Sequence, residues 1–255
     1  MPGRDTAYVW VGRGDGGRPI PAGRLLRRAG ATLLGRAETE MLVEHGRDGR
    51  PLVAVRGSEA RAALAVSVSR ADGVVAVAAR LGGPVGVDVE RCRPLPALEL
   101  ARRWYAPAEV AWLAGRPADG RVTDFLRLWT AKEAVGKALG VGLRDGGPGR
   151  RMPVPNDCDG SLRLVPGAGR LRVGHPPVGG GLVLAVAVVA TGAVPVEILH
   201  DDVLPRDALP GAAPAGDAPA AADGDVGAGR WTAHAAAARS ASTDRTSLPV
   251  VVRGN

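Results

Sequence analysis

The chain has 255 residues, which is enough for one large domain or two small ones with a sizeable core. Aromatic residues make up only 3% of the sequence, so the core has to be built from Val, Leu and Ala. Two cysteines exclude a disulfide framework, and a net charge of +7 favours an anionic partner such as nucleic acid, a phosphorylated molecule or an acidic protein.

The N-terminal part of the chain is predicted to combine one helix with short strands. A strand over residues 7–11 precedes an amphipathic helix over residues 24–44, and the turn Gly49-Arg50-Pro51 follows. Four β-like runs come next, separated by glycine and polar residues that favour hairpins or a meander: 52–55, 64–68, 73–79 and 85–89.

The last of these runs places two carboxylates on one side of a strand. Asp88 and Glu90 are two residues apart, and side chains alternate between the faces of a strand. On this run alone, an exposed sheet edge is the favoured interpretation. A cation site is the alternative that stays open.

The C-terminal part repeats the combination of helices and strands. A proline-containing linker at 91–96 leads to predicted helices and then to four β-like runs, over residues 98–105, 107–114, 123–139, 161–165, 170–173, 182–190 and 194–199. Two rounds of helix and mostly antiparallel strand predict an α+β fold, with one half at 1–92 and the other at 93–199. Residues 200–255 are rich in Ala, Pro, Gly and Asp and are predicted to be a disordered tail.

The helix over residues 123–139 carries the strongest functional signal. Trp129, Glu133 and Lys137 are four residues apart and therefore share one face, and Lys132 lies on its flank. The chain has 33 Lys and Arg residues, yet Lys132 and Lys137 are its only lysines. A solvated Glu–Lys pair is the simple interpretation of this face. Trp129 argues against it, because a fully solvated stripe has little use for tryptophan.

Three carboxylates converge if the 85–90 strand packs against this helix. Asp88, Glu90 and Glu133 would then offer the oxygen ligands that Mg²⁺ prefers, and the lysines and arginines would neutralise a polyphosphate. Such a site suits phosphoryl-type transfer. The sequence has no Walker loop and no dinucleotide-binding glycine motif, so a standard nucleotide-binding fold is not expected.

Two motifs together resemble a known family. G-V-D-V-E at 86–90, followed by W-T-A-K-E-A-V-G-K at 129–137, is similar to the surfactin-type (Sfp-like) 4′-phosphopantetheinyl transferases. G-R-P at 49–51, S-V-S at 67–69 and W-Y-A-P-A-E-V at 104–110 add to the resemblance, which covers roughly residues 24–199. It implies two similar α+β halves with a pseudo-two-fold relation, packed around a central cleft that binds coenzyme A.

The resemblance also implies roles for individual residues. Asp88, Glu90 and Glu133 would hold Mg²⁺, and Glu133 would also act as the base for the serine of the carrier protein. Lys137 would contact the pyrophosphate and stabilise the leaving group, with Lys132 assisting. Further contacts to coenzyme A are implied for Arg50, Ser67 and one of Arg24, Arg27 or Arg28, of which Arg27 is our choice. Val68 stands where the family has a histidine.

The sequence therefore predicts a transferase of the holo-[acyl-carrier-protein] synthase type. It would move phosphopantetheine from coenzyme A to a serine of an acyl or peptidyl carrier protein, with Mg²⁺ as cofactor. We expect a cytoplasmic monomer with no membrane segment and no nucleic-acid partner. The alternative is a non-catalytic relative that binds the carrier protein or coenzyme A, and Val68 favours it.

Overall fold

The computed structural model describes residues 2–14, 20–58, 64–144, 146–155 and 160–201. These residues form four α-helices: α1 (Ala22–Leu34), α2 (Ala97–Trp104), α3 (Pro107–Ala114) and α4 (Arg121–Leu139). They also form ten strands: β1 (Ala7–Arg13), β2 (Met41–His45), β3 (Pro51–Val55), β4 (Ala65–Ala71), β5 (Val74–Arg80), β6 (Val85–Arg91), β7 (Arg163–Leu164), β8 (Leu171–Gly174), β9 (Leu182–Val189) and β10 (Val196–His200). The predicted tail, apart from residues 200 and 201, lies outside the described residues.

The strands form two four-stranded sheets and one separate hairpin. The first sheet has the order β10-β1-β5-β4, the second has the order β6-β9-β8-β7, and β2 pairs with β3. All pairs are antiparallel except β1 with β10. The mixed α+β fold predicted from the sequence is therefore confirmed. The strand order β1-β5-β4 recurs as β6-β9-β8, while the predicted two-fold relation between the halves stays a prediction.

The core lies on both faces of the first sheet, because its central strands β1 and β5 are apolar at nearly every position before their terminal arginines. One face, with Val9, Val11 and Ala76, packs against Val87 and Val186 of the second sheet. The other face, made by alternate residues of the same strands, packs against α1. The small aliphatic side chains expected from the composition fill both layers.

Helix α4 packs closely against β6 because Gly86 has no side chain between them: a Cβ there would overlap the backbone of Ala134. Gly136 in the helix likewise lets the turn at Gly142 fold back against α4. Since Val85, Val87 and Val89 face the core between the sheets, the alternate residues of β6 face α4. The strand face that carries Asp88 and Glu90 therefore abuts the helix that carries Glu133.

Three boundaries differ from the sequence prediction. The helix predicted to run to residue 44 ends at Leu34, because Gly35 adopts a left-handed conformation with φ of 63°, and Met41 begins strand β2. The division at residue 92 is crossed by both sheets, since β6 joins β9 and β10 joins β1. Asp201, which we placed in the tail, is buried.

The parts of the chain described above contain no helix that is both long enough and apolar enough to cross a membrane.

Candidate active site

The two large sheets meet where β4, an edge strand of the first, lies beside β6, an edge strand of the second. We call this junction the seam. The outward N–H groups of β6 find acceptors in serine side chains: Val87 donates to Ser67 Oγ over 3.1 Å, and Val89 donates to Ser69 Oγ over 3.3 Å. Both serines are only 6% exposed. The seam is therefore closed by side chains where a continuous sheet would use backbone bonds.

Asp88 lies at the centre of the seam and is 2% exposed. Its Oδ1 accepts hydrogen bonds from Ser69 Oγ at 2.7 Å and from Lys137 Nζ at 2.9 Å. Its Oδ2 is buried without a hydrogen bond among the described residues. The expectation of an exposed sheet edge is wrong, because α4 and the seam cover this face. A buried carboxylate with one oxygen that has no hydrogen bond is suited to bind a cation or a proton donor.

Glu90 is equally buried and accepts a hydrogen bond from Arg93 Nη1 over 3.3 Å. Glu133, one turn before Lys137, is half-buried. The pKa of the Tyr105 hydroxyl shows that these carboxylates lie near one another. Burial raises this pKa well above 10, and the charges of Glu109, Glu133 and Glu90 raise it further. These carboxylates thus act on one buried region.

The donor chemistry of this region fits Mg²⁺ in part. Hard carboxylate oxygens are present, and Asp88 Oδ2 is open. Yet no three His, Cys, Asp or Glu side chains of the described chain lie together as a ready metal-binding group. Mg²⁺ often uses only one or two protein carboxylates and completes its shell with water and phosphate oxygens. The site therefore fits a metal that arrives with its substrate, and the assignment of all three carboxylates stays a prediction.

Lys137 forms hydrogen bonds to both strands of the seam. Its ammonium donates to Asp88 Oδ1 at 2.9 Å, to the carbonyl of Val87 at 3.0 Å and to the carbonyl of Val68 at 3.3 Å. Its three protons are thereby used on strands from both sheets. The side chain remains 29% exposed, so solvent or a ligand has access to it.

Lys132 points elsewhere, into a buried ion pair. Its Nζ lies 2.9 Å and 2.8 Å from the two carboxylate oxygens of Glu109, and it also donates to the carbonyl of Arg150. Burial lowers the pKa of Lys132, and Glu109 opposes that shift. Glu109 also accepts from the backbone N–H groups of Met152 and Ala106. With this ammonium fully engaged, Lys132 holds α3, α4 and the 150–152 segment together; its predicted assistance at coenzyme A remains untested.

The predicted phosphate-binding arginines lie on different elements. The guanidinium of Arg50 lies against Gly140, at the C-terminal end of α4, and pairs with Asp48 over 3.1 Å. Gly140 has a φ of 80°, so both its conformation and this contact require glycine. The structure thus brings Arg50 within about one helical turn of Lys137 along α4.

Arg24 and Arg28 of α1 point to Asp201, with Arg28 Nη1 2.5 Å from its Oδ1. Arg27 is exposed and forms no ion pair within the described residues. Of the three arginines considered, Arg27 is therefore the one left available for a phosphate, and that contact stays a prediction.

Val68 faces away from the serines that flank it. Strand alternation puts Ser67 and Ser69 at the seam, while Val68 packs against the cluster of Tyr8, Trp10 and Leu25 beside α1. Position 68, where the family has a histidine, is therefore a half-buried apolar position at the edge of the core.

Two residues that the sequence left unassigned have structural partners. His175 Nε2 donates to the carbonyl of Arg127 over 2.7 Å, and burial lowers the pKa of His175 to about 4. Cys92 Sγ lies 3.7 Å from the hydroxyl of Thr123. Sequence reasoning missed Ser69, Glu109 and Asp201, which act through contacts to residues 19 or more positions away.

Comparison with known proteins shows which family the segment that carries this site resembles. Residues 84–186 match the model of the 4′-phosphopantetheinyl transferase superfamily. The matched segment includes both β6 and α4, the elements that supply Asp88, Glu133 and Lys137. The resemblance stated from the two motifs is therefore confirmed for this segment.

Individual relatives support the same assignment. The chain is 31% identical over 128 residues to 4′-phosphopantetheinyl transferase HetI from Nostoc sp., covering 49% of this chain and 53% of HetI. It is 33% identical over 150 residues to an L-aminoadipate-semialdehyde dehydrogenase-phosphopantetheinyl transferase from Eremothecium gossypii, covering 56% and 52%. To Sfp from Bacillus subtilis it is 35% identical over 60 residues, covering 24% and 26%. The chain spans about half, or less, of the length of these relatives.

Proposed function

We propose that this protein transfers 4′-phosphopantetheine from coenzyme A to a serine of an acyl or peptidyl carrier protein. The serine oxygen attacks the β-phosphorus of the coenzyme A pyrophosphate, the phosphoanhydride bond breaks, and adenosine 3′,5′-bisphosphate leaves. The observation that carries the proposal is the environment of buried Asp88. Its Oδ1 binds Lys137 of α4, and its Oδ2 has no hydrogen bond within the described residues.

In this proposal the chain's own residues supply position and charge. Asp88, Glu90 and Glu133 would hold Mg²⁺, which would supply positive charge to neutralise the pyrophosphate. Glu133 is half-buried and close to that charge, and it accepts the proton of the carrier serine directly or through a water.

The cations act on the leaving group. Lys137 contacts the pyrophosphate, which requires its ammonium to exchange at least one of its three present acceptors for a phosphate oxygen. Arg50, Arg27 and Ser67 contribute to coenzyme A binding. Lys132 was predicted to assist, and we now propose that it does so by holding α4 in place through Glu109.

The proposal is tested by incubating the full-length protein with apo carrier protein, coenzyme A and Mg²⁺ and measuring the intact mass of the carrier. We expect wild type to add one phosphopantetheine group in the presence of Mg²⁺ and none with EDTA. Asp88→Ala and Glu133→Ala should each abolish the mass gain. Glu197→Ala, an exposed carboxylate on β10, is the control and should transfer normally.

One observation favours the second candidate, a non-catalytic relative that binds carrier protein or coenzyme A. Val68 replaces a histidine of the family and packs as an apolar residue. Wild-type protein that binds coenzyme A or carrier protein but produces no mass gain would decide for this candidate.

A further inference from the structure

Ser69 is the residue of the seam whose hydroxyl reaches Asp88. Its Oγ lies 2.7 Å from Asp88 Oδ1 and also accepts the backbone N–H of Val89 over 3.3 Å. A serine hydroxyl has one proton, and a backbone N–H can only donate. The proton of Ser69 is therefore available to Asp88, and the direction of the bond between these side chains is fixed.

This bond determines how the carboxylate is presented. Both donors to Asp88, Ser69 and Lys137, bind the same oxygen, Oδ1, from two different elements. Two donors on one oxygen restrain rotation of the carboxylate and leave Oδ2 on the opposite side, buried and without a hydrogen bond in the described part of the chain. If Lys137 turns towards a phosphate, Ser69 is the donor that still holds Oδ1.

Ser67 provides an internal comparison. It lies on the same strand, two residues away, with the same 6% exposure, and it accepts an N–H of β6 in the same way. The bond that distinguishes the two serines is the one from Ser69 to Asp88. Both serines therefore form the seam bond, and Ser69 adds a contact to the carboxylate of Asp88.

We propose that Ser69 is a positioning residue for Asp88, holding Oδ1 so that Oδ2 is directed to the divalent cation used in transfer. This inference rests on the proposed function, since it assigns Ser69 a role towards the Mg²⁺ that the proposed reaction uses. Partners that orient a metal ligand typically change metal affinity about 10–100-fold when removed.

The experiment compares Ser69→Ala with Ser67→Ala in the full-length protein. Mn²⁺ binding is measured by electron paramagnetic resonance at a coenzyme A concentration that saturates each variant, because Ser67 is itself proposed to contact coenzyme A. Thermal unfolding is followed in parallel. Both variants lose one seam bond, so we expect similar decreases in Tm. Only Ser69→Ala should weaken Mn²⁺ binding, by about 10-fold, and raise the half-saturating Mg²⁺ concentration for transfer by a similar factor.

Ser69→Cys keeps the side-chain size with a weaker donor and should give a smaller loss of Mn²⁺ affinity in the same direction. It carries the test if Ser69→Ala does not fold. Equal Mn²⁺ affinity in wild type, Ser69→Ala and Ser69→Cys, or an equal loss in Ser69→Ala and Ser67→Ala, overturns the inference while leaving the proposed function standing. A wild-type protein that neither binds Mn²⁺ nor transfers overturns both.

Discussion

The two lysines of α4 lie on different sides of the helix and differ in how fully their ion pairs are buried. Lys132 is 1% exposed, and its carboxylate partner Glu109 has hydrogen-bond donors on both oxygens. Lys137 is 29% exposed, and one oxygen of its partner Asp88 has no hydrogen bond within the described residues. Two lysines five residues apart therefore have different environments. The difference is that both carboxylate oxygens of Glu109 accept hydrogen bonds, whereas, in the described part of the chain, one of the two in Asp88 does.

The largest effect is expected for Lys132→Met, at the buried ion pair. This change leaves the buried carboxylate of Glu109 without its counter-ion, and breaking a buried ion pair in this way costs about 3–5 kcal/mol of stability. Chemical denaturation of wild type and variant measures the difference in free energy of unfolding.

The double variant Lys132→Met with Glu109→Gln is the control for the lone charge. It removes both charges and keeps an amide near the N–H groups of Met152 and Ala106, so it should recover part of the lost stability. A Lys132→Met variant as stable as wild type would show that α4 is not anchored by the pair.

A smaller effect is expected from pH, through His175, which donates to a carbonyl in the first half of α4. Burial lowers the pKa of His175 to about 4, below the usual value of 6.5. Between these values the unfolded chain binds a proton that the native state does not. Stability should therefore fall as pH decreases from 6.5 to 4, by up to about 3 kcal/mol, and be fully present above pH 6.5.

His175→Gln removes this proton-linked loss. The free energy of unfolding of the variant should therefore depend less on pH than that of wild type over the same range. His45→Gln, at an exposed position of β2, is the matched control and should follow wild type. If wild type and His175→Gln lose stability in parallel from pH 6.5 to 4, protonation of buried His175 is not the cause of the loss.

The smallest effect is expected at the second half of α4, for Arg50→Gln. The guanidinium of Arg50 lies against Gly140 but is 45% exposed, so solvent weakens any phosphate contact that it makes. We expect a rise in KM for coenzyme A of about 3–10-fold, with kcat changed less, as for a contact made equally in the ground and transition states. Arg47→Gln, an exposed neighbour on the same turn, should leave KM unchanged.

The parts of this arrangement that follow a period were predictable from the sequence. Spacing by four put Trp129, Glu133 and Lys137 on one helix face, and alternation put Asp88 and Glu90 on one side of β6. The same reasoning overextended α1, because Met41 and Leu42 continue its apolar spacing beyond the turn at Gly35.

The parts that depend on distant side chains were not predictable. Ser69 reaches Asp88 across 19 residues and Lys132 reaches Glu109 across 23, and such pairs leave no periodic signal in a single sequence. The burial of Asp88 and Glu90 has the same origin, since it depends on α4 and on the seam between two sheets. Sequence alone therefore predicted which face each residue occupies better than which partners it contacts.

The most direct test of this difference between the two lysines is the rate of phosphopantetheine transfer by Lys137→Met and by the Lys132→Met, Glu109→Gln double variant, measured side by side at a temperature where both are folded. We expect Lys137→Met to lose transfer about 10²–10³-fold even where it is folded, as for the loss of one charge-stabilising donor. Its Tm should also fall, because buried Asp88 loses its counter-ion. The double variant should have a lower Tm and transfer within a few-fold of wild type. Full transfer by Lys137→Met, or a folded double variant without transfer, would contradict the account.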